Sequence, residues 1–126
     1  MDKSVVARRD DPAIDAQLAR IMEPIGLCPM GRLEQLFSAT SGQDYELRAQ
    51  RIRDVYVEVG VPPDVMDLAL ELQRDLAHHH GMWHRMALPD LFIAVTALAN
   101  NFGVLHNDKD YERIAKVRPL INRRLG

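Results

Sequence analysis

Cysteine is almost missing from this chain of 126 residues. Cys28 stands alone, which excludes an internal disulfide framework and fits a reducing compartment. Flanked by Leu27 and Pro29, it reads as a small buried hydrophobe and not as a nucleophile. A surplus of either charge is also missing, with 16 basic residues against 18 acidic. Composition therefore does not announce the strongly basic surface that grips nucleic acid by counterion release. Lysine is scarce, three against thirteen arginines, and arginine gives planar, bidentate contacts to phosphate or carboxylate. No apolar run approaches the ~20 residues of a membrane span. The longest, Leu91–Ala99, is interrupted by Thr96, and the opening Met-Asp-Lys-Ser has no apolar leader. The expectation is a soluble, cytoplasmic protein with no membrane association. Internal repeats, linkers and low-complexity stretches are lacking, so residues 1–126 read as a single domain.

What is present alternates between helical and strand periodicity. Ser4–Arg9 and Pro12–Met22 read as helical, Ile25–Cys28 as a brief buried strand between prolines. The next helix carries Met30, Leu33, Leu36 and Phe37, with Glu34 among them, and a charged helix spans Asp44–Asp54. Val55, Val57, Val59 and Val61 alternate with other residues as a strand does, until Pro62-Pro63 opens another helix. Val65, Leu68, Ala69, Leu72 and Leu76 give that helix an apolar stripe ending near Gly81. Pro89 starts a helix over Asp90–Asn100 that is apolar nearly all round, with Gly103 as its expected C′ residue. Val104–His106 is a short strand, and Lys109–Val117 the last helix. Strands alternating with helices imply an α/β sandwich with a short, largely parallel sheet flanked by helices.

In such sheets ligands bind outside the carboxyl ends of the strands, where helices begin. Four acidic stations stand near such corners: Asp2, Glu34, Asp90, and Asp108 with Asp110. Converging carboxylates repel one another and rise in pKa unless a cation compensates. Mg²⁺ or Mn²⁺ suits oxygen ligands, and the expected reaction class is phosphodiester hydrolysis. Each acid alone is more often a cap in the first turn of a helix than a metal ligand.

At these residues the chain resembles PIN domains, and more narrowly the VapC-type ribonuclease toxins of type II toxin–antitoxin systems. The resemblance is carried by Asp2-Lys3-Ser4, by Cys28-Pro29-Met30-Gly31-Arg32-Leu33-Glu34, by His84-Arg85 with Leu88-Pro89-Asp90-Leu91-Phe92-Ile93-Ala94, and by His106-Asn107-Asp108-Lys109-Asp110-Tyr111. It implies a PIN-like three-layer sandwich and a metal-dependent endoribonuclease acting on RNA, held in check by a cognate VapB-type antitoxin and forming a homodimer. Carried over by position, Asp2, Glu34, Asp90 and Asp108 would hold Mg²⁺ or Mn²⁺. Asp110 is a rival or companion to Asp108, and Ser4 a supporting hydroxyl. Arg32 and Arg85, like Arg8 and Arg9, flank the expected site as phosphate contacts. The family places several apolar residues before its first Asp, as a central strand. Only Met1 precedes Asp2 here, so the expectation is a missing or truncated first strand.

His78-His79-His80 resembles a metal cluster, but consecutive helical residues point about 100° apart, so a solvated helix end is expected instead. His84 and His106 adjoin the acidic motifs, either to orient phosphate or water or as structural hydrogen-bond partners. Trp83 is open to base stacking or to core or dimer packing. Two other functions stay open: a catalytically inactive PIN-fold interaction module, and a metal-dependent nuclease acting on DNA.

Overall fold

The most apolar segment of the chain becomes a helix that the rest of the molecule wraps. The computed structural model describes residues 4–6, 25–106 and 109–124. Its elements run β1 (Ser4–Val6), β2 (Ile25–Leu27), α1 (Pro29–Phe37), α2 (Gly42–Val55), β3 (Val57–Glu58), α3 (Val65–His78), a 3-10 turn at Trp83–Arg85, α4 (Leu88–Ala99), β4 (Gly103–His106), α5 (Lys109–Ile114) and β5 (Asn122–Arg124). In α4, Leu91, Ile93, Ala94, Val95, Thr96 and Ala97 are all buried, as a helix without a polar face must be. It packs on β1 and β4, with α1, α3 and α5 against it.

The five strands lie in the order β3-β2-β1-β4-β5, and every neighbouring pair is parallel. Parallel pairs need crossover connections, and here helices supply them. Val5 pairs with Gly26 on one side and Val104 on the other, which makes β1 the centre of the sheet.

That placement corrects two expectations. Ser4–Arg9 does not begin as a helix, because Ser4–Val6 is a strand whose β-branched Val5 and Val6 suit a pleated sheet. The sheet has its central strand in these residues, after the first Asp and not before it. The helix expected over residues 12–22 lies outside the described residues. The alternating valines also mislead: Val55 closes α2, and β3 is only Val57–Glu58, paired to β2 alone. An edge strand this short limits the unpaired backbone on offer to other chains. Strand β5 was not expected at all, and it pairs Arg123 and Arg124 with Leu105 and His106.

Helix α4 ends differently from its sequence reading. Asn101, not Gly103, takes the left-handed conformation, with φ of 61°. Its N–H reaches Leu98 O at 3.2 Å and the Phe102 N–H reaches Ala97 O at 2.8 Å, the paired bonds of a Schellman motif. Gly103 is thereby left to start β4. At the start of α2, Ser41 Oγ accepts the Asp44 N–H at 2.9 Å, and Asp44 Oδ2 accepts the Thr40 N–H at 2.9 Å and Arg48 Nε at 2.9 Å. The Thr40 amide, and then Arg48, hold the Asp44 carboxyl below its ordinary pKa. The Cys28 thiol is pushed up by burial, in keeping with an inert hydrophobe. No helix among the described residues is long and apolar enough to cross a membrane.

Two outcomes test these caps. Asn101→Gly should keep or slightly raise the urea-unfolding free energy, whereas Asn101→Val should lower it by about 1–2 kcal/mol, the cost of a branched residue at positive φ. Because the folded pKa of Asp44 is depressed, its contribution is complete above its unfolded value of ~3.9 and is lost as pH falls through the folded value. Acid titration of stability in Asp44→Asn should therefore be flatter below pH ~4 than in the parent.

Candidate active site

Direction along the chain decides which side chains share an edge of the sheet. Helix α1 follows β2 and α5 follows β4, so both begin at the carboxyl edge. Helix α4 leads into β4, so its own N-terminus returns to that same edge. Glu34 on α1, Asp90 in the first turn of α4 and Asp110 in the first turn of α5 therefore sit on elements that meet there, with α1 and α5 both against α4. Asp2 and Asp108 lie outside the described residues. Ser4 opens β1 level with Ile25 and Gly103, where the strands begin. That register sets its backbone at the edge where the strands begin, away from the starts of α1, α4 and α5.

Asp90 is the most enclosed charge-bearing group described, with 0% of its surface exposed. The Tyr111 hydroxyl donates to its Oδ1 at 3.0 Å, and Tyr111 is itself fully buried. Asp90 Oδ2 and Glu34 Oε1 are also shut off from solvent. Glu34 is half-buried on the same helix that Cys28 caps, and its charge adds to the upward push on that thiol. Among the described residues no three His, Cys, Asp or Glu side chains form a ready metal cage. What they do offer is a pair of enclosed carboxylates at one edge. Hard oxygen donors of this kind, desolvated and of one sign, fit Mg²⁺ or Mn²⁺ as partial ligands.

Tyr111 was quoted in the sequence only as part of a motif. Its signal was an aromatic with a polar tip on a short helix next to two acids, a residue type that seeks a partner when buried. His84 is half-buried with a shielded Nδ1 that has no hydrogen-bond partner among the described residues. Arg85 is exposed beside it, three residues before α4 begins. Arg32 is engaged elsewhere, donating from Nη2 to Glu58 Oε1 at 2.8 Å across the rim of a groove. This groove, about 690 Å³, lies between α1 and α2 and is floored by Leu27, Leu36, Ile52 and Tyr56. Leu33 and Tyr45 line it with much of their surface open.

With this geometry in view, a family model described as PIN domain matches residues 2–117. The chain is 54% identical over 95 residues to "Ribonuclease VapC17" of Mycobacterium tuberculosis, covering 75% of this chain and 71% of that protein. It is 36% identical over 113 residues to "Ribonuclease VapC18" of the same species, covering 89% and 77%. Among solved structures, VapBC2 from Rickettsia felis bound to a promoter DNA fragment shares the fold with a TM-score of 0.71. Identity there is 13%, and coverage is 98% of this chain and 99% of that one. VapBC-5 from Mycobacterium tuberculosis also gives 0.71, at 18% identity over 98% and 99%.

Removing the buried hydroxyl isolates the Asp90 contact. Tyr111→Phe should keep the fold and lower the unfolding free energy by about 1–3 kcal/mol, measured by urea denaturation, because a buried carboxyl group loses one of its hydrogen bonds.

Proposed function

The chain belongs to the PIN domain family, and from that premise we propose that it is a metal-dependent endoribonuclease, the toxin partner of a VapB-type antitoxin. The observation that carries this reading is the complete burial of Asp90 at the sheet edge where the other acid-bearing helices converge. A carboxylate hidden from water is costly unless a donor and a cation offset its charge. Tyr111 is the donor, and Mg²⁺, with Mn²⁺ as a substitute, is the proposed cation. Asp90 and Glu34 would hold it, with Asp2, Asp108 or Asp110 completing the set.

When bound, such an ion supplies positive charge at the scissile phosphate and lowers the pKa of water beside it. The residues of the chain have separate tasks. Tyr111 fixes one oxygen of Asp90 and so presents the other in a single orientation. Enclosure of Glu34 Oε1 and Asp90 Oδ2 keeps competing water from solvating them, which strengthens their pull on a cation. Arg85, exposed in the turn that leads into α4, would meet a phosphate of the RNA.

For the antitoxin, the groove between α1 and α2 offers apolar surface at Leu33 and Tyr45, with Arg32 and Glu58 at its rim. Self-association has candidate surface too, because Leu47 on α2 and Met66 and Leu70 on α3 are well exposed.

Cleavage and metal binding test the proposal together. A mixed tRNA and rRNA pool should yield discrete fragments with Mg²⁺ or Mn²⁺, none with EDTA and none with Asp90→Asn. The Asn side chain still accepts the Tyr111 hydroxyl, so the variant should stay folded. Metal at a hundredfold excess over its Kd should stabilise the parent by about 2.7 kcal/mol and the variant by much less, read as the shift in Tm. A folded parent that shows neither fragments nor a shift would instead be an inactive interaction module.

A further inference from the structure

The histidine run and the single tryptophan have no part in the acidic site, yet the fold builds them into one feature. His79 ends α3, its N–H bonded to Asp75 O at 3.1 Å. The His79 ring then stacks on the Trp83 ring with centroids 4.0 Å apart and planes inclined by 21°. The exposed His80 ring leans on His79 at 4.3 Å and 30°. Local backbone is shaped around this ladder. A Cβ at Gly81 would fall 2.4 Å from Trp83 Nε1, so only glycine lets the indole lie this close. Met82 accepts a left-handed conformation, φ 50°, to bring Trp83 round. His79 Nδ1 accepts the Gly81 N–H at 3.1 Å, which leaves that nitrogen without a proton and the ring suited to stacking.

Two cations attend the same indole, Arg113 at 5.5 Å and Lys116 at 5.6 Å from its centroid. The nearby Arg118 is occupied by Asp75 and is not counted with them. Flat rings ending in an exposed face, with positive charge alongside, are what a single-stranded nucleic acid requires: stacking for a base and charge for phosphates. Position supports the same conclusion. The 3-10 turn bearing Trp83 leads directly into α4 and Asp90, while α5 presents Tyr111 to Asp90 and Arg113 to Trp83.

We propose that the Trp83–His79–His80 ladder, flanked by Arg113 and Lys116, is a subsite for single-stranded RNA beside the acidic centre. A base stacks on His80, and the two cations meet the adjoining phosphates. This assignment rests on the ribonuclease reading above and adds to it the place where the strand is held.

Trp83 is the only tryptophan in the chain, so intrinsic emission reports on this patch alone. The test titrates the full chain, in EDTA, with a ten-nucleotide 2′-O-methyl RNA that cannot be cleaved. Emission is read on the unlabelled oligonucleotide and anisotropy on a labelled one. Saturable change of Trp83 emission is expected. His80→Ala should weaken binding by about tenfold, as loss of one stacked base does. The double variant Arg113→Gln with Lys116→Gln should also flatten the slope of log Kd against log salt by about 1.4. Gly81→Ala should displace the indole, altering emission before any RNA is added and weakening binding as His80→Ala does. RNA that binds by anisotropy with Trp83 emission unmoved and these variants unaffected overturns the subsite, while metal-dependent cleavage leaves the nuclease standing. Unchanged RNA affinity combined with lost neutralisation by the antitoxin assigns the patch to protein and overturns it equally. Failure of the parent both to bind and to cleave removes both readings.

Discussion

The contact between the Tyr111 hydroxyl and Asp90 Oδ1 is the constraint on which the functional edge depends. Both residues are wholly buried, so neither can turn to water if the other moves. A hydrogen bond to a charged, desolvated partner contributes more than a neutral one, about 1.5–3 kcal/mol, and leaving the carboxylate without it costs at least as much. Helix α5 is only Lys109–Ile114, too short to persist by its own backbone bonds. It is held by burial of Tyr111 and Ile114 and by this hydroxyl, and Asp110 and Arg113 take their positions from it.

Why the carboxylate stands where it does follows from α4. A helix with no polar face has to be central, and the only place its first turn can emerge is the carboxyl edge of a parallel sheet. Pro89 sets that first turn, and no side chain caps it: Ala87 occupies the cap position. Asp90 then lies in the first turn, at the positive end of the helix dipole, where negative charge is favoured. One acid thus serves helix and site at once, which is why a capping role and a ligand role were indistinguishable from spacing alone.

Much of this was legible in the sequence where one physical signal dominated. The stripe Ala69, Leu72 and Leu76 and the unbroken apolar character of α4 each specify a buried helix, and both are found. Glu34 and Asp90 were legible as acids at strand-to-helix corners. Reading failed where local pattern and tertiary context disagree. Val55–Val61 alternates like a strand, but Gly60 and Pro62 leave only Val57–Glu58 to pair, and α2 takes Val55. Ser4–Val6 is too short to show any period, so its central place comes from partners 21 and 99 residues away rather than from its own residues. Asn101 outcompeted Gly103 as helix terminator because its position, one residue past the cap, suits the bond from Phe102 to Ala97. The ring ladder was hidden for a different reason: three histidines on an ideal helix diverge, and only the end of α3 at His78 frees His79 to turn onto Trp83.

The short α5 also links features that look separate. Its inward side supplies Tyr111 to Asp90, and its outward side supplies Arg113 to the Trp83 ring. Trp83 in turn stands five residues before α4, so the ladder and the acid are joined at both ends, through the chain and through α5. A shift of α5 large enough to break the Tyr111 hydrogen bond would also carry Arg113 away from the indole. The groove between α1 and α2 lies on the other side, and α1 is its wall that packs on α4. Glu34 is the one acid that α1 carries to the acidic edge. Asp90, on the helix against which both α1 and α5 pack, is the point that the two sides of the edge share.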